Sequence, residues 1–210
     1  MNLPDLHLEQ TLWQGGIMRL AGLDEAGRGA WAGPVAAAAV ILPADPHLTR
    51  RLDGVRDSKQ MTPRQRARWA DEIRQLALAF GVGMATNEEI DAMGIVAATR
   101  LAMLRALQAL PLTPDHLLLD ALILPEAEQN QTALIKGDCR CLSIAAASVL
   151  AKTSRDQFMQ GLEEIYPGYA FGRHKGYGTR LHRLALRQKG PCDAHRFSFA
   201  PLRACELHLY

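Results

Sequence analysis

The chain has 210 residues, 48% of them hydrophobic and 22% charged, with a formal net charge of +2. That length predicts one domain, alone or with a small appendage, and suffices to bury a core. The composition excludes a disordered chain, no apolar run approaches the ~20 residues of a membrane span, and residues 1–5 lack the basic start and apolar centre of a signal peptide.

Residues 1–16 are expected to be an irregular extension ending in Gly15-Gly16. Residues 17–24 predict a strand that enters the core and delivers Asp24 and Glu25 at its carboxyl end. Residues 35–42, flanked by Pro34 and Pro43, predict a second strand antiparallel to the first. A loop over 43–56 leads to Asp57-Ser58-Lys59. Thr62-Pro63 is a helix start, a hydroxyl cap followed by proline at the first helical position. That helix runs to about Gln75 and gives way to a third strand over 76–85. Thr86-Asn87-Glu88-Glu89 opens the next helix with a cap and early acids. Its core stripe is predicted at Ile90, Met93, Ala97, Leu101, Leu104 and Leu107, with Gly94 a locally costly interruption.

Two short strands follow, 117–120 and 132–138, each ending on a carboxylate, Asp120 and Asp138. A helix over 142–165 begins with small residues and is expected to lie close to the sheet. Residues 172–178 form a basic, glycine-rich loop, and 179–188 a basic amphipathic helix closed by Gly190-Pro191. Residues 197–202 are expected to dock back on the body. The resulting division is an extension over 1–16, a core over 17–165 and a basic helical extension over 166–210 packed on it. From Arg173 onward there are eight basic residues against Asp193 and Glu206. This is the footprint of a polyanion-facing surface, although an ordinary solvated helix face would look the same. Cys139, Cys141, Cys192 and Cys205 have the wrong spacing for a zinc or redox pair and are expected to be free thiols in a reducing cytoplasm.

The stretch Gly22-Leu23-Asp24-Glu25-Ala26-Gly27-Arg28-Gly29 with Gly33-Pro34 invites two readings. Its glycines form a loose dinucleotide fingerprint, but that motif must open a helix, and here a proline and another strand follow. The alternative is a metal-dependent nuclease. Three predicted strands end in acid, and ligands gather outside the carboxyl ends of strands in an open α/β sheet. Carboxylates brought together there repel unless a cation compensates them. Oxygen ligands without clustered His or Cys favour Mg²⁺ or Mn²⁺, and two such ions suit phosphodiester hydrolysis. Arg28, between Gly27 and Gly29, is placed for phosphate contact or is a plain surface arginine. Tyr177, in His174-Lys175-Gly176-Tyr177-Gly178, is placed to stack on a sugar or base, or is packed under its loop.

These stretches, with Asn87-Glu88-Glu89-Ile90-Asp91, Lys136-Gly137-Asp138, Ala145-Ala146-Ala147-Ser148, Ala151-Lys152, Arg155-Asp156, Tyr166-Pro167-Gly168-Tyr169 and His195-Arg196-Phe197-Ser198-Phe199-Ala200-Pro201, resemble type 2 ribonuclease H, the bacterial ribonuclease HII family, in its order from about residue 19 to about 202. The resemblance implies an α/β fold: a ribonuclease H-like mixed sheet flanked by helices, with a helical C-terminal extension. It implies that Asp24, Glu25, Asp120 and Asp138 hold two divalent ions, Mn²⁺ or Mg²⁺. The implied substrates are RNA–DNA hybrids and single ribonucleotides embedded in duplex DNA, cut on the 5′ side to leave 3′-hydroxyl and 5′-phosphate ends. Gly27, Arg28 and Gly29 would read the 2′-hydroxyl and Tyr177 would stack on the junction sugar, with Lys59, His174 and Lys175 also binding substrate. A monomeric cytoplasmic enzyme is expected, and residues 205–210 show no docking peptide. The sequence departs from the family where Ala121 and Ala170 stand for glycine and Gly94 for asparagine.

Overall fold

The structure, a computed structural model, describes residues 3–206. The side chain of Cys205 and residues 207–210, and so the expectations placed on them, lie outside the described residues; Cys139, Cys141 and Cys192 are free.

In chain order the elements are α1 (His7–Gln14), β1 (Leu20–Ala26), β2 (Val35–Ile41), α2 (Leu48–Arg51), α3 (Pro63–Leu76), β3 (Ala79–Ala85), α4 (Asn87–Met93), α5 (Ile95–Gln108), β4 (His116–Asp120), β5 (Asn130–Leu134), α6 (Leu142–Ile165), α7 (Phe171–His174), α8 (Arg180–Lys189) and α9 (Ala200–Glu206). The strands form one sheet in the order β3-β2-β1-β4-β5. β1 and β2 pair antiparallel, as do β2 and β3, whereas β1 and β4, and β4 and β5, are parallel. The sheet is therefore mixed, with β1 at its centre.

Helices cover both faces. Leu23, Ala37 and Ala39 pack towards α5 with Ala98, Ala102 and Met103. Ala38 and Val40 pack towards α6 and α3 with Ala146, Val149, Leu150 and Ile73. Small residues set the spacing. A Cβ at Gly22 would fall inside the backbone of Ser143, and one at Gly81 or Gly83 inside that of α5. The alanines of β2 and the small start of α6 serve the same close approach, as the sequence predicts.

Local signals explain the helix starts. Thr62 and Thr86 each close a full capping box, with Gln65 and Glu89, which satisfies donors the first turn would leave orphaned. Thr179 accepts from the His182 N–H, and Gly190 follows α8. The tail docks as expected: Asp91 accepts from the Phe197 and Ser198 N–H groups, and Leu202 is buried.

Four expectations need correction. Residues 7–14 are helical, held by apolar contacts of Leu8, Leu12 and Trp13 with Leu20, Leu118 and Ile144. The loop over 43–56 contains α2. Gly94, at φ +82, breaks the helix into α4 and α5. That break rephases the core stripe, so Ala98, Ala102, Met103 and Ala106 are buried while Met93 and Ala97 are exposed. Finally, β5 ends at Leu134, and Asp138 sits beyond it in a 3₁₀ turn, Gly137–Cys139, just before α6.

Candidate active site

The register of the sheet brings the acids together. Leu23 lies opposite Leu119 in the parallel β1–β4 pair, so Asp24 and Asp120, one residue further on, meet at the carboxyl ends. Asp24 is 3% exposed. Its Oδ1 accepts the Glu25 N–H at 2.7 Å, and it bonds the hydroxyl of Ser148 on α6, which is 2.9 Å from Ser58 Oγ. Glu25 Oε1 accepts from Arg28 at 3.2 Å, while Glu25 Oε2 is buried without a partner. Asp120 Oδ1 accepts the Gly137 N–H at 2.8 Å, tying the end of β4 to the turn that carries Asp138.

The electrostatics are those of an undercompensated cluster. Burial, with the charges of Glu25 and Asp120, pushes the Asp24 carboxyl well above the usual range. Burial also raises Glu25; Arg28 opposes that and Asp120 adds to it. Burial, Asp57 and Asp120 raise Asp138. Each effect disfavours the charged form. Burial works against the Lys59 ammonium too, but Asp57, Asp24, Asp138 and Glu25 outweigh it and raise its pKa. Lys59 is thus a counter-ion to the acids.

Asp120 is the shared neighbour of Asp24, Glu25 and Asp138. The four do not close into a tight quartet. Among the described residues, the side chains whose ligand atoms lie within 4.8 Å of one another are Asp57, Asp138 and Cys139. Asp57 therefore joins the acidic group, a place sequence reasoning did not assign it. Undercompensated carboxylates, a mostly oxygen donor set and the orphaned Glu25 Oε2 fit a hard divalent cation.

Beside the acids lies a cleft of about 340 Å³ walled by Glu25, Gly27, Arg28, Gly29, Lys59 and Tyr177. The two glycines differ in kind. Gly27 has φ +96, and a Cβ there would overlap the Arg155 guanidinium; a Cβ at Gly29 would meet nothing within 4 Å. Packing demands the first glycine but not the second. Arg28 is exposed apart from its bond to Glu25. Tyr177 separates this cleft from a larger one of about 590 Å³, whose walls include Arg66, Lys152, Asp156 and Lys175. Its ring centroid is 5.6 Å from both Lys152 Nζ and the Arg155 guanidinium carbon.

His174 and Lys175 are placed differently from Tyr177. His174 is buried, with Nε2 on the Tyr169 carbonyl at 2.7 Å and Nδ1 accepting from the Gly176 N–H at 3.1 Å. It stacks on His182, whose pKa burial lowers to about 4, and His182 meets His195 at 3.0 Å. This ring cluster holds the Tyr177 loop from beneath. Lys175 bonds the Gly172 carbonyl and lines the larger cleft.

Two functional supports were missed, Arg155 and Arg196. Arg155 donates to the carbonyls of Pro34, Lys175 and Ala32, and Arg196 to those of Gly33 and Arg28. Together they tie the segment 28–34 to the Tyr177 loop. A signal existed for Arg155: Ser148, Lys152 and Arg155 are four and three apart, which puts them on one helix face.

A central β1 flanked by antiparallel β2 and parallel β4, with acids at adjoining strand ends and helices on both faces, defines a ribonuclease H-like fold with an acidic site suited to a divalent cation. The Ribonuclease HII family model matches residues 21–202. A ribonuclease HII from Synechococcus sp. (strain JA-3-3Ab) is 56% identical, over 95% of this chain and 90% of that one. Another from Chloroflexus aurantiacus is 52% identical over 95% of both. The crystal structure of the ribonuclease H2 from Pyrococcus horikoshii OT3 superposes with a TM-score of 0.74 at 26% identity, covering 90% of this chain and 98% of that one. The chain belongs to the ribonuclease HII family. It is a ribonuclease H endonuclease, of a family that acts on RNA–DNA substrates with divalent metal ions.

Proposed function

We propose that the enzyme hydrolyses the RNA strand of RNA–DNA hybrids and also cuts 5′ of single ribonucleotides embedded in duplex DNA. The products are 3′-hydroxyl and 5′-phosphate ends, and the cellular role is ribonucleotide removal from DNA by a cytoplasmic monomer. The domain division follows: residues 17–165 carry the acids, residues 166–210 carry Tyr177, and residues 1–16 are an appendage.

Asp24, Glu25, Asp120 and Asp138 hold two divalent ions, Mn²⁺ or Mg²⁺. When bound, such ions supply an activated water and charge neutralisation at a phosphodiester. The protein's own residues do the selecting. Gly29 has open space where a side chain would stand, so a sugar edge can approach the backbone of Gly27 to Gly29, and Arg28 can reach a 2′-hydroxyl, the group that tells RNA from DNA. Tyr177 stacks on the junction sugar, held to its task by the histidines below it. Lys59 and Lys175 meet flanking phosphates, and His174 contributes by supporting the loop.

The observation that carries this reading is the common cleft: the acid Glu25, the open Gly29 and Tyr177 all line one cleft of about 340 Å³. A duplex containing one ribonucleotide, compared with its all-DNA counterpart, tests it. Only the former should be cut, and Tyr177→Ala should slow that cut about 10- to 100-fold while duplex affinity shifts by less than about threefold. Equal cutting of both duplexes would overturn the reading of the 2′-hydroxyl.

A further inference from the structure

The helix α6 begins with a defect. Its N-cap residue, Cys141, offers no side-chain acceptor to the first turn, so the donors there need another partner. The partner comes from α1, more than a hundred residues away in sequence. Glu9, 1% exposed, places its Oε1 2.9 Å from the Ser143 N–H, 3.0 Å from Ser143 Oγ and 3.0 Å from Cys141 Sγ. A carboxylate there also meets the positive end of the helix dipole. The approach to α1 adds a second clamp: the Leu142 N–H donates to the Asp5 carbonyl at 2.9 Å, and the Asp5 N–H to the Arg140 carbonyl at 3.4 Å. From the other side, Gly22 of β1 presses on the Ser143 backbone, leaving no room for a Cβ.

What this clamp holds is the turn Gly137–Cys139. That turn positions two of the four acids. Its Gly137 N–H fixes Asp120, and Asp138 is its middle residue. The clamped residues 140–143 follow directly, and the Cys141 N–H closes back on the Gly137 carbonyl at 2.8 Å. Hydrogen bonds from Cys141 to Glu9, from Cys141 to Gly137 and from Gly137 to Asp120 therefore link α1 to one acid, and the peptide bond after Gly137 carries the link to the other, Asp138.

We propose that α1 is a brace for the metal site and that Glu9 is a positioning residue, acting through Ser143 and the turn to set Asp120 and Asp138 against Asp24 and Glu25. This rests on the reading of those four acids as metal ligands. The helix α1, within that N-terminal appendage, then supports the metal site.

The full chain decides it, as wild type, Glu9→Ala, Glu9→Gln and Asp138→Asn. Three quantities decide it, with duplex KM and the melting temperature followed beside them: Mn²⁺ affinity by calorimetry without substrate, hydrogen exchange of residues 137–143 in the metal-free protein, and the Mn²⁺ concentration for half-maximal cutting. Glu9→Ala should weaken Mn²⁺ binding about 10-fold, raise the half-maximal Mn²⁺ concentration in step, speed exchange at 137–143, and leave duplex KM unchanged. Glu9→Gln, which keeps an acceptor for Ser143, should stay within about threefold of wild type in all three. If Glu9→Ala lowers only the melting temperature and leaves Mn²⁺ affinity and exchange at 137–143 unchanged, Glu9 is a helix cap and the proposal fails. If Glu9→Ala does not fold, Glu9→Gln with unaltered exchange but Mn²⁺ binding as weak as 10-fold below wild type also sinks it, because geometry would then be intact. Asp138→Asn binding Mn²⁺ as wild type does would instead refute the ligand assignment, whatever Glu9 does.

Discussion

Compare the acids at the ends of β1 and β4 with the arginine pair behind them. Both are buried charge, and neither group is neutralised by the other. Arg155 is fully buried, yet it donates three bonds to backbone carbonyls and lies over the Tyr177 ring. Arg196 donates two and lies over Phe199, with only Nη2 left over. Burial lowers both pKa values, that of Arg196 to about 9, which still leaves Arg196 charged near neutrality. Asp24, Glu25 and Asp138 are raised by burial, and Glu25 keeps an oxygen with nothing to accept from. The arginines meet most of their hydrogen-bonding capacity on backbone carbonyls, whereas the acids crowd like charge together at one end of the sheet. The two kinds should respond to mutation with opposite signs.

The largest effect breaks the acidic side. Asp24→Asn should reduce cutting by about 10³-fold or more, since groups that act as a unit fail together. The same change should stabilise the metal-free fold by on the order of 1–3 kcal/mol at pH 8, because it removes a buried charge with poor compensation. The sign follows from the raised folded-state pKa. Below about pH 4 the carboxyl is protonated in both states and exerts no penalty; as pH rises through the raised pKa, the folded form must give up a proton it prefers to keep, and stability falls. The gap between Asp24→Asn and wild type, read from urea melts in EDTA, should therefore widen with pH. A gap that is absent or reversed at pH 8 means Asp24 is already satisfied.

The next effect breaks the arginine side. Arg155→Met keeps bulk but strands the carbonyls of Pro34, Lys175 and Ala32. It should destabilise the fold by about 3 kcal/mol, the sum expected for buried acceptors left unmade. Urea unfolding measures it. A loss under about 1 kcal/mol would show that those carbonyls find other donors and that the segment 28–34 does not depend on Arg155.

The same contrast explains what could be read from the sequence. The acids were legible because strand ends are local and parallel register aligns them; Asp24 and Asp120 needed only β1 beside β4. Helix starts at Thr62, Thr86 and Thr179 were legible because a cap and its partner lie three residues apart. The full span of α6 was readable from its small start and the Tyr166-Pro167-Gly168 stop. By contrast, α1 was missed because the partners of Glu9 are Cys141 and Ser143, invisible at short range. The stripe on α5 was misphased because one torsion, at Gly94, turns the helix relative to α4. Asp138 was placed on a strand because an apolar run ends near it, whereas the chain leaves the sheet at Leu134 and turns. Arg155 and Arg196 were passed over because an arginine in sequence reads as surface.

The smallest effect sharpens the comparison at its edge, where strain rather than charge is stored. Ala121 follows Asp120 directly and sits at φ 57, and Ala170 opens α7 at φ 63. An alanine in the left-handed region costs about 1–2 kcal/mol, and glycine would relieve this at a smaller cost in unfolded-chain entropy of about 0.4–1 kcal/mol. Ala121→Gly and Ala170→Gly should each therefore raise stability by about 0.5–1 kcal/mol in urea unfolding. They should differ in activity. Ala170 is remote from the acids in sequence and supports α7 through its carbonyl, which accepts from Arg173 at 3.0 Å, so cutting should be unchanged. Ala121 donates its N–H to Leu134 at 3.0 Å and holds the end of β4, so a looser glycine there should cost cutting about two- to threefold while the fold gains stability. A loss of stability in both would mean that the surrounding hydrogen bonds, and not the torsions, set the energy of these turns.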